Sequence, residues 1–141
     1  MVAVMDADMG AAQRPRQSRS IDLLTGEKLQ YVRLGHAIVL NFSGGRQVLI
    51  ETVAQLDGPG GRIEVEPGEE PSDVLATLLG DAVRSACTRA GGELHLRFAG
   101  GSELSVRADP EVESWAVAGP DGSLIVCLAR GEIAVWGGRL G

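Results

Sequence analysis

The feature that most constrains this chain is an alternating strand closed by two glycines, written twice. In Glu93-Leu-His-Leu-Arg-Phe98 the apolar residues recur at every second position, which places Leu94, Leu96 and Phe98 on one face of a β-strand. Gly100-Gly101 then supplies the positive φ angles of a tight hairpin, and Glu103-Leu-Ser-Val-Arg107 alternates again on the way back. Earlier in the chain, Ile38-Val-Leu-Asn-Phe-Ser-Gly-Gly45 matches Leu94-His-Leu-Arg-Phe-Ala-Gly-Gly101 at an offset of 56 residues, and Val48-Leu-Ile50 matches Leu104-Ser-Val106. Upstream again, Leu24-Thr-Gly-Glu-Lys-Leu29 matches Leu78-Leu-Gly-Asp-Ala-Val83 at an offset of 54, so a two-residue insertion falls between, most simply at Gly91-Gly92. A repeat of this kind bears on the whole architecture.

The expected fold is therefore mainly β (a β-rich α+β chain): two similar three-stranded units, about residues 24–52 and 78–108, followed by a C-terminal β-hairpin. One segment is contested. Val74, Leu75, Leu78, Leu79, Ala82, Val83, Ala86 and Cys87 recur at helical spacing. Gly80 interrupts that pattern, and the repeat sets residues 81–90 opposite the strand-like stretch around Tyr31 and Val32. The expectation is one short helix over 72–79, ended by Gly80, with a strand after it. Ala37-Ile-Val-Leu40 and Val48-Leu-Ile50 differ from their counterparts in being apolar on both faces, which predicts a strand covered on two sides.

At the C-terminal end, Pro120-Asp121-Gly122 is strong turn chemistry. It predicts that strands over 112–118 and 123–128 pair, with a last strand ending at Trp136 after Arg130-Gly131. Residues 1–19 lack hydrophobic periodicity and read as a loose tail; residues 20–141 read as a single domain.

Several motifs together carry a resemblance. They are Leu78-Leu-Gly80, Leu96-x-Phe98-x-x-Gly101, Val112-Glu113-Ser-Trp115, Gly119-Pro-Asp-Gly122 and Gly131-Glu-Ile-Ala-Val-Trp136. In these the chain resembles a family of small bacterial proteins of unknown function, common in high-GC Gram-positive organisms. Its pattern has Tyr-Glu-Ala-Trp where this sequence has Val112, Glu113, Ser114 and Trp115. The resemblance implies a shared fold and no particular activity. A looser likeness, in size, acidity and β content, is to immunity and partner-binding proteins of toxin systems.

Composition removes several function classes. The net charge is −6, and residues 20–141 carry 17 acids against 10 bases. With five aromatic residues in the whole chain, this disfavours nucleic acid and anionic membrane surfaces as partners. No apolar run approaches the roughly 20 residues of a membrane span. The two cysteines, Cys87 and Cys127, have no metal-ligand spacing, read as free buried thiols and fit a reducing cytoplasm. No familiar catalytic or nucleotide-binding motif is present, and no cofactor or metal is expected. His95 alternates outward with Glu93 and Arg97 and reads as an exposed strand histidine.

The leading expectation is a non-catalytic protein-interaction protein, an immunity or accessory factor being one form. The alternative is a small-molecule binder, or an enzyme of unfamiliar type, with a pocket between the sheets. Homo-oligomerisation through the double-sided strand at 37–40 fits either. Two partner surfaces are expected: Glu113 and Trp115 on one strand face, with Trp136, and the acidic connector over 55–73, with Glu69 and Glu70. The purely structural alternative has Trp115 and Trp136 closing the ends of the core.

Overall fold

A computed structural model describes residues 19–68 and 73–137. The alternating stretches form strands, because one face of each can be buried while backbone groups pair with neighbours. The first half contains β1 (Arg19–Ser20), β2 (Leu29–Leu34), β3 (Ile38–Phe42), β4 (Arg46–Ile50), β5 (Ala54–Gly58) and β6 (Gly61–Val65). After the short helix α1 (Asp73–Ala76) come β7 (Val83–Arg89), β8 (Glu93–Phe98), β9 (Glu103–Val106), β10 (Trp115–Ala118), β11 (Leu124–Cys127) and β12 (Ile133–Trp136). Among the described residues the fold is mainly β with one short α-helix, as the sequence predicts. The helix ends before the expected residue 79: from Thr77 the backbone turns with i to i+3 bonds until Gly80, at φ +84°, redirects it, and residue 72 lies outside the described residues. Residues 83–89 are strand, so the helical spacing there is coincidental.

Two six-stranded antiparallel sheets pack face to face. The first runs β12-β11-β10-β4-β3-β2 and the second β1-β7-β8-β9-β5-β6. Neither sheet is built from one half of the chain. After β4 the chain crosses to the second sheet, where β5 pairs with β9; after β9 it crosses to the first, where β10 pairs with β4. Each sheet thus joins three strands from one half to further strands from the other.

The halves also meet directly. Lys28 and Ala82 form an antiparallel bridge. The Gly26 N–H donates to the Val83 carbonyl and the Gly80 N–H to the Leu29 carbonyl, both at 2.8 Å. The Leu29 N–H donates to Asp81 O at 3.0 Å and the Val83 N–H to Glu27 O at 2.9 Å. Each bond of a pair becomes its counterpart on adding 54 to one residue number and subtracting it from the other, so the segments exchange bonds about a local twofold axis. Both strands carry an irregularity in register just beyond, between Leu29 and Tyr31 and between Val83 and Ser85. Phe42 and Phe98 stack across the sheets with centroids 6.5 Å apart.

The core lies between the sheets and draws on both, with Leu40, Ile50, Val117, Leu96, Leu104 and Val106 fully buried. Because each half supplies strands to both sheets, cutting the chain between Gly68 and Glu69 is expected to leave two fragments that do not fold alone. Mixed, they should recover the β-sheet circular dichroism and a cooperative melt. Independent folding of either fragment would contradict the interlocked topology.

Candidate functional site

The residues expected to form a partner surface do not come together. Trp115 is 1% exposed and belongs to the core, where its indole N–H donates to the Gly92 carbonyl at 2.9 Å. Glu113 is exposed and does not share a strand face with Trp115. The strand expected over 112–118 begins only at Trp115, because the Asp109 carboxylate accepts the Glu111 and Val112 N–H groups and folds the preceding residues into a turn. Trp136 is 51% exposed, on the edge strand β12. Glu69 and Glu70, like all but Arg19 of the expected tail, lie outside the described residues.

What the strands do build is two outward sheet faces of opposite character. On the second sheet, register aligns Cys87, His95, Ser105, Gln55 and Glu64 in one row across β7, β8, β9, β5 and β6. The next row carries Ser85, Arg97, Glu103, Asp57 and Arg62. These polar groups answer one another. The Arg62 guanidinium lies 3.0 Å from Asp57 and holds its carboxyl below the usual range, and Arg97 lies 3.6 Å from Glu103. His95 is not exposed as expected. It is 5% exposed, with Nε2 2.9 Å from Glu103 Oε1, because β8 lies inside the sheet and neighbouring side chains flank the ring.

On the first sheet the corresponding row reads Arg33, Val39, Leu49, Ala116, Val126 and Ala134, from β2 to β12. The row beside it reads Tyr31, Asn41, Gln47, Ala118, Leu124 and Trp136. Tyr31 and Trp136, both about half exposed, stand at opposite ends of that row. No carboxylate occurs in either row. The Gln47 side-chain amide donates to Asn41 Oδ1 at 3.0 Å, while Asn41 Nδ2 has no hydrogen-bond partner. The sequence signal for this face is the two-sided apolarity of 37–40 and 48–50; the contribution of Ala116, Val126 and Ala134 depends on pairing with a distant strand.

Buried side chains of both sheets form one hydrophobic core between them. Two depressions, of about 350 and 270 Å3, are open to the surface: one between the Gly58-Pro59 and Gly100-Gly101 turns, the other beside Thr52, Gln55 and Arg107. Among the described residues no cluster of three or more His, Cys, Asp or Glu could hold a metal ion. Nor, among them, is any helix long and apolar enough to cross a membrane.

Both cysteines are free, but only Cys127 is buried; Cys87 is partly exposed on the polar face. Burial pushes the Cys127 thiol up to about 11. The native protein at pH 8 is therefore expected to take up an alkylating reagent at Cys87 and not at Cys127, with both reacting in denaturant. Mass spectrometry reads this, and fast native labelling of Cys127 would contradict its burial.

A family of unknown function (DUF6188) matches the chain over residues 20–137. Neither the comparison with curated proteins nor that with solved structures returns a match. The matched span contains both sheets apart from Arg19, and on that coverage the chain belongs to this family of unknown function.

Proposed function

We propose that this protein acts by binding another protein chain through the outer face of its first sheet. The observation that carries the reading is the contrast between the two outward faces. Under the offsets that relate the halves, Val39 corresponds to His95 and Leu49 to Ser105. Ala116 then corresponds to Gln55 and Val126 to Glu64, because β10 lies beside β4 as β5 lies beside β9. The second sheet thus carries polar residues at the corresponding positions; Val39, Leu49 and Ala116 are partly exposed in the single chain, while Val126 is already covered at 6% exposure. A contiguous apolar sheet face is what a binding surface requires. The correspondence takes the two halves as copies of one unit, which the exchanged hydrogen bonds around Lys28 and Ala82 support.

Immunity or accessory proteins work in this way, by covering a partner rather than transforming a substrate. The test is capture from the source cell with three baits: wild type, Leu49→Asp on the apolar face and Ser85→Asp on the polar face. A stoichiometric chain retained by wild type and Ser85→Asp but lost from Leu49→Asp is the expected result. The same proteins on all three baits would overturn the reading.

A further inference from the structure

We infer that the chain covering this face is a second copy of the same protein, an inference that rests on the preceding reading that the face is covered. Charge is the first reason. The chain carries a net charge of −6, so two copies repel through most of their surfaces. The two rows described above hold no carboxylate and one guanidinium, Arg33, on the edge strand β2; the exposed Glu51, just after β4, and Glu132, just before β12, lie beyond them at one end of the face. Face-to-face contact there brings no acidic groups of the two rows together. A strongly charged partner of another kind would find little to pair with.

Shape is the second reason. A twofold axis parallel to the strands reverses the strand order of one copy over the other, so β2 meets β12, β3 meets β11 and β4 meets β10. Leu49 then lies over the second copy's Ala116, and Val39 over its Val126. The Leu49–Ala116 contact at the centre sets a large side chain over a small one, as interdigitation requires. The same operation brings Tyr31 over the second copy's Trp136 at both ends of the contact, closing each rim with an aromatic pair. The operation lays each row over itself, as an isologous dimer requires, and it also sets Arg33 over the second copy's Ala134 and Asn41 over its Leu124.

Area sets the strength. Six strands span about 24 Å, and the usable strand length is about 15 Å. With its aromatic rims, the pair of copies therefore buries about 800–1,000 Å2, below the roughly 1,200 Å2 of a standard specific interface and in the range of weak, transient contacts. The dimer is accordingly reversible and depends on micromolar concentration.

The test is molar mass by light scattering or sedimentation, from low to high micromolar protein. Wild type is expected to rise from 14.7 kDa toward twice that mass. Leu49→Asp should stay at one chain over the whole range, and Trp136→Ala should weaken association at least tenfold. Ser85→Asp should behave as wild type. Leu49→Asp is expected to fold, since the corresponding position carries Ser105, and an unchanged circular dichroism spectrum checks this.

A wild-type mass that stays at one chain overturns the inference, as does a dimer indifferent to both Leu49→Asp and Trp136→Ala. If a monomeric wild type still captures a different protein in a Leu49-dependent way, the second copy is excluded and the binding face stands. If it captures none, both fail.

Discussion

A Trp115→Ala variant is expected to lose about 3–5 kcal/mol of stability, the range for removing a large aromatic from a packed core, and to melt well below the parent chain. Two contributions add. The indole is 1% exposed, so its removal leaves a void between the sheets that the surrounding strands can only partly close. Its N–H also satisfies the Gly92 carbonyl, which then retains only the weak approach of Cys127 Sγ at 3.5 Å. Trp115→Phe separates these effects, keeping most of the volume and losing the hydrogen bond, and should cost about 1–3 kcal/mol. Chemical denaturation of the two variants measures the difference. A Trp115→Ala chain as stable as wild type would mean that the indole is not a core residue.

The second large effect is expected at Gly131. The turn Ala90–Gly92 of the second sheet and the turn Ala129–Gly131 of the first press against each other at one end of the sandwich. A Cβ on Gly131 would collide with the Gly91 carbonyl oxygen, and one on Gly92 would stand 2.6 Å from Gly131 Cα. Gly131 has φ +88° and Gly122, in the exposed turn before β11, has φ +89° with nothing within 4 Å of an added Cβ. The two glycines carry the same conformational constraint and differ only in surroundings. Gly122→Ala should therefore cost about 1–2 kcal/mol, the steric cost of a left-handed residue. Gly131→Ala should cost at least twice that, because backbone must move as well. Equal losses in the two variants would show that the turns do not form a tight contact.

Both effects arise where the sheets meet, and that junction was the part least legible in the sequence. Period-two alternation in residues 93–98 and 103–107 reports which side of a strand is buried, a local property, and the mainly β fold follows from it. It does not report a strand's neighbours. That β5 lies beside β9, and β10 beside β4, is decided by long-range pairing across the sandwich. For the same reason Trp115 reads equally well as a surface anchor or a core residue until β10 is placed between β4 and β11. His95 alternates outward as its sequence indicates, yet its position inside a six-stranded sheet, beside Glu103, covers the ring.

The apolar face was half legible. Ala37-Ile-Val-Leu40 and Val48-Leu-Ile50 declare a second apolar side through their own composition. The alanines and valine that extend it, Ala116, Val126 and Ala134, stand out only once β10, β11 and β12 are aligned with β4. Glu113 was misplaced for a local reason: the Asp109 side chain captures two backbone donors and delays the strand by three residues relative to residue 112.

Trp136, 51% exposed at the rim of the first sheet's outer face in the single chain, reports directly on whether that face is covered in the working protein. In a Trp115→Phe background it is the only tryptophan, and acrylamide quenching of its fluorescence measures access directly. Quenching should be efficient in dilute protein and fall as the concentration is raised through the micromolar range or as a captured partner is added. The Leu49→Asp version should stay fully quenchable throughout. If Trp136 is equally accessible in every assembly that the protein forms, the face is not a binding surface.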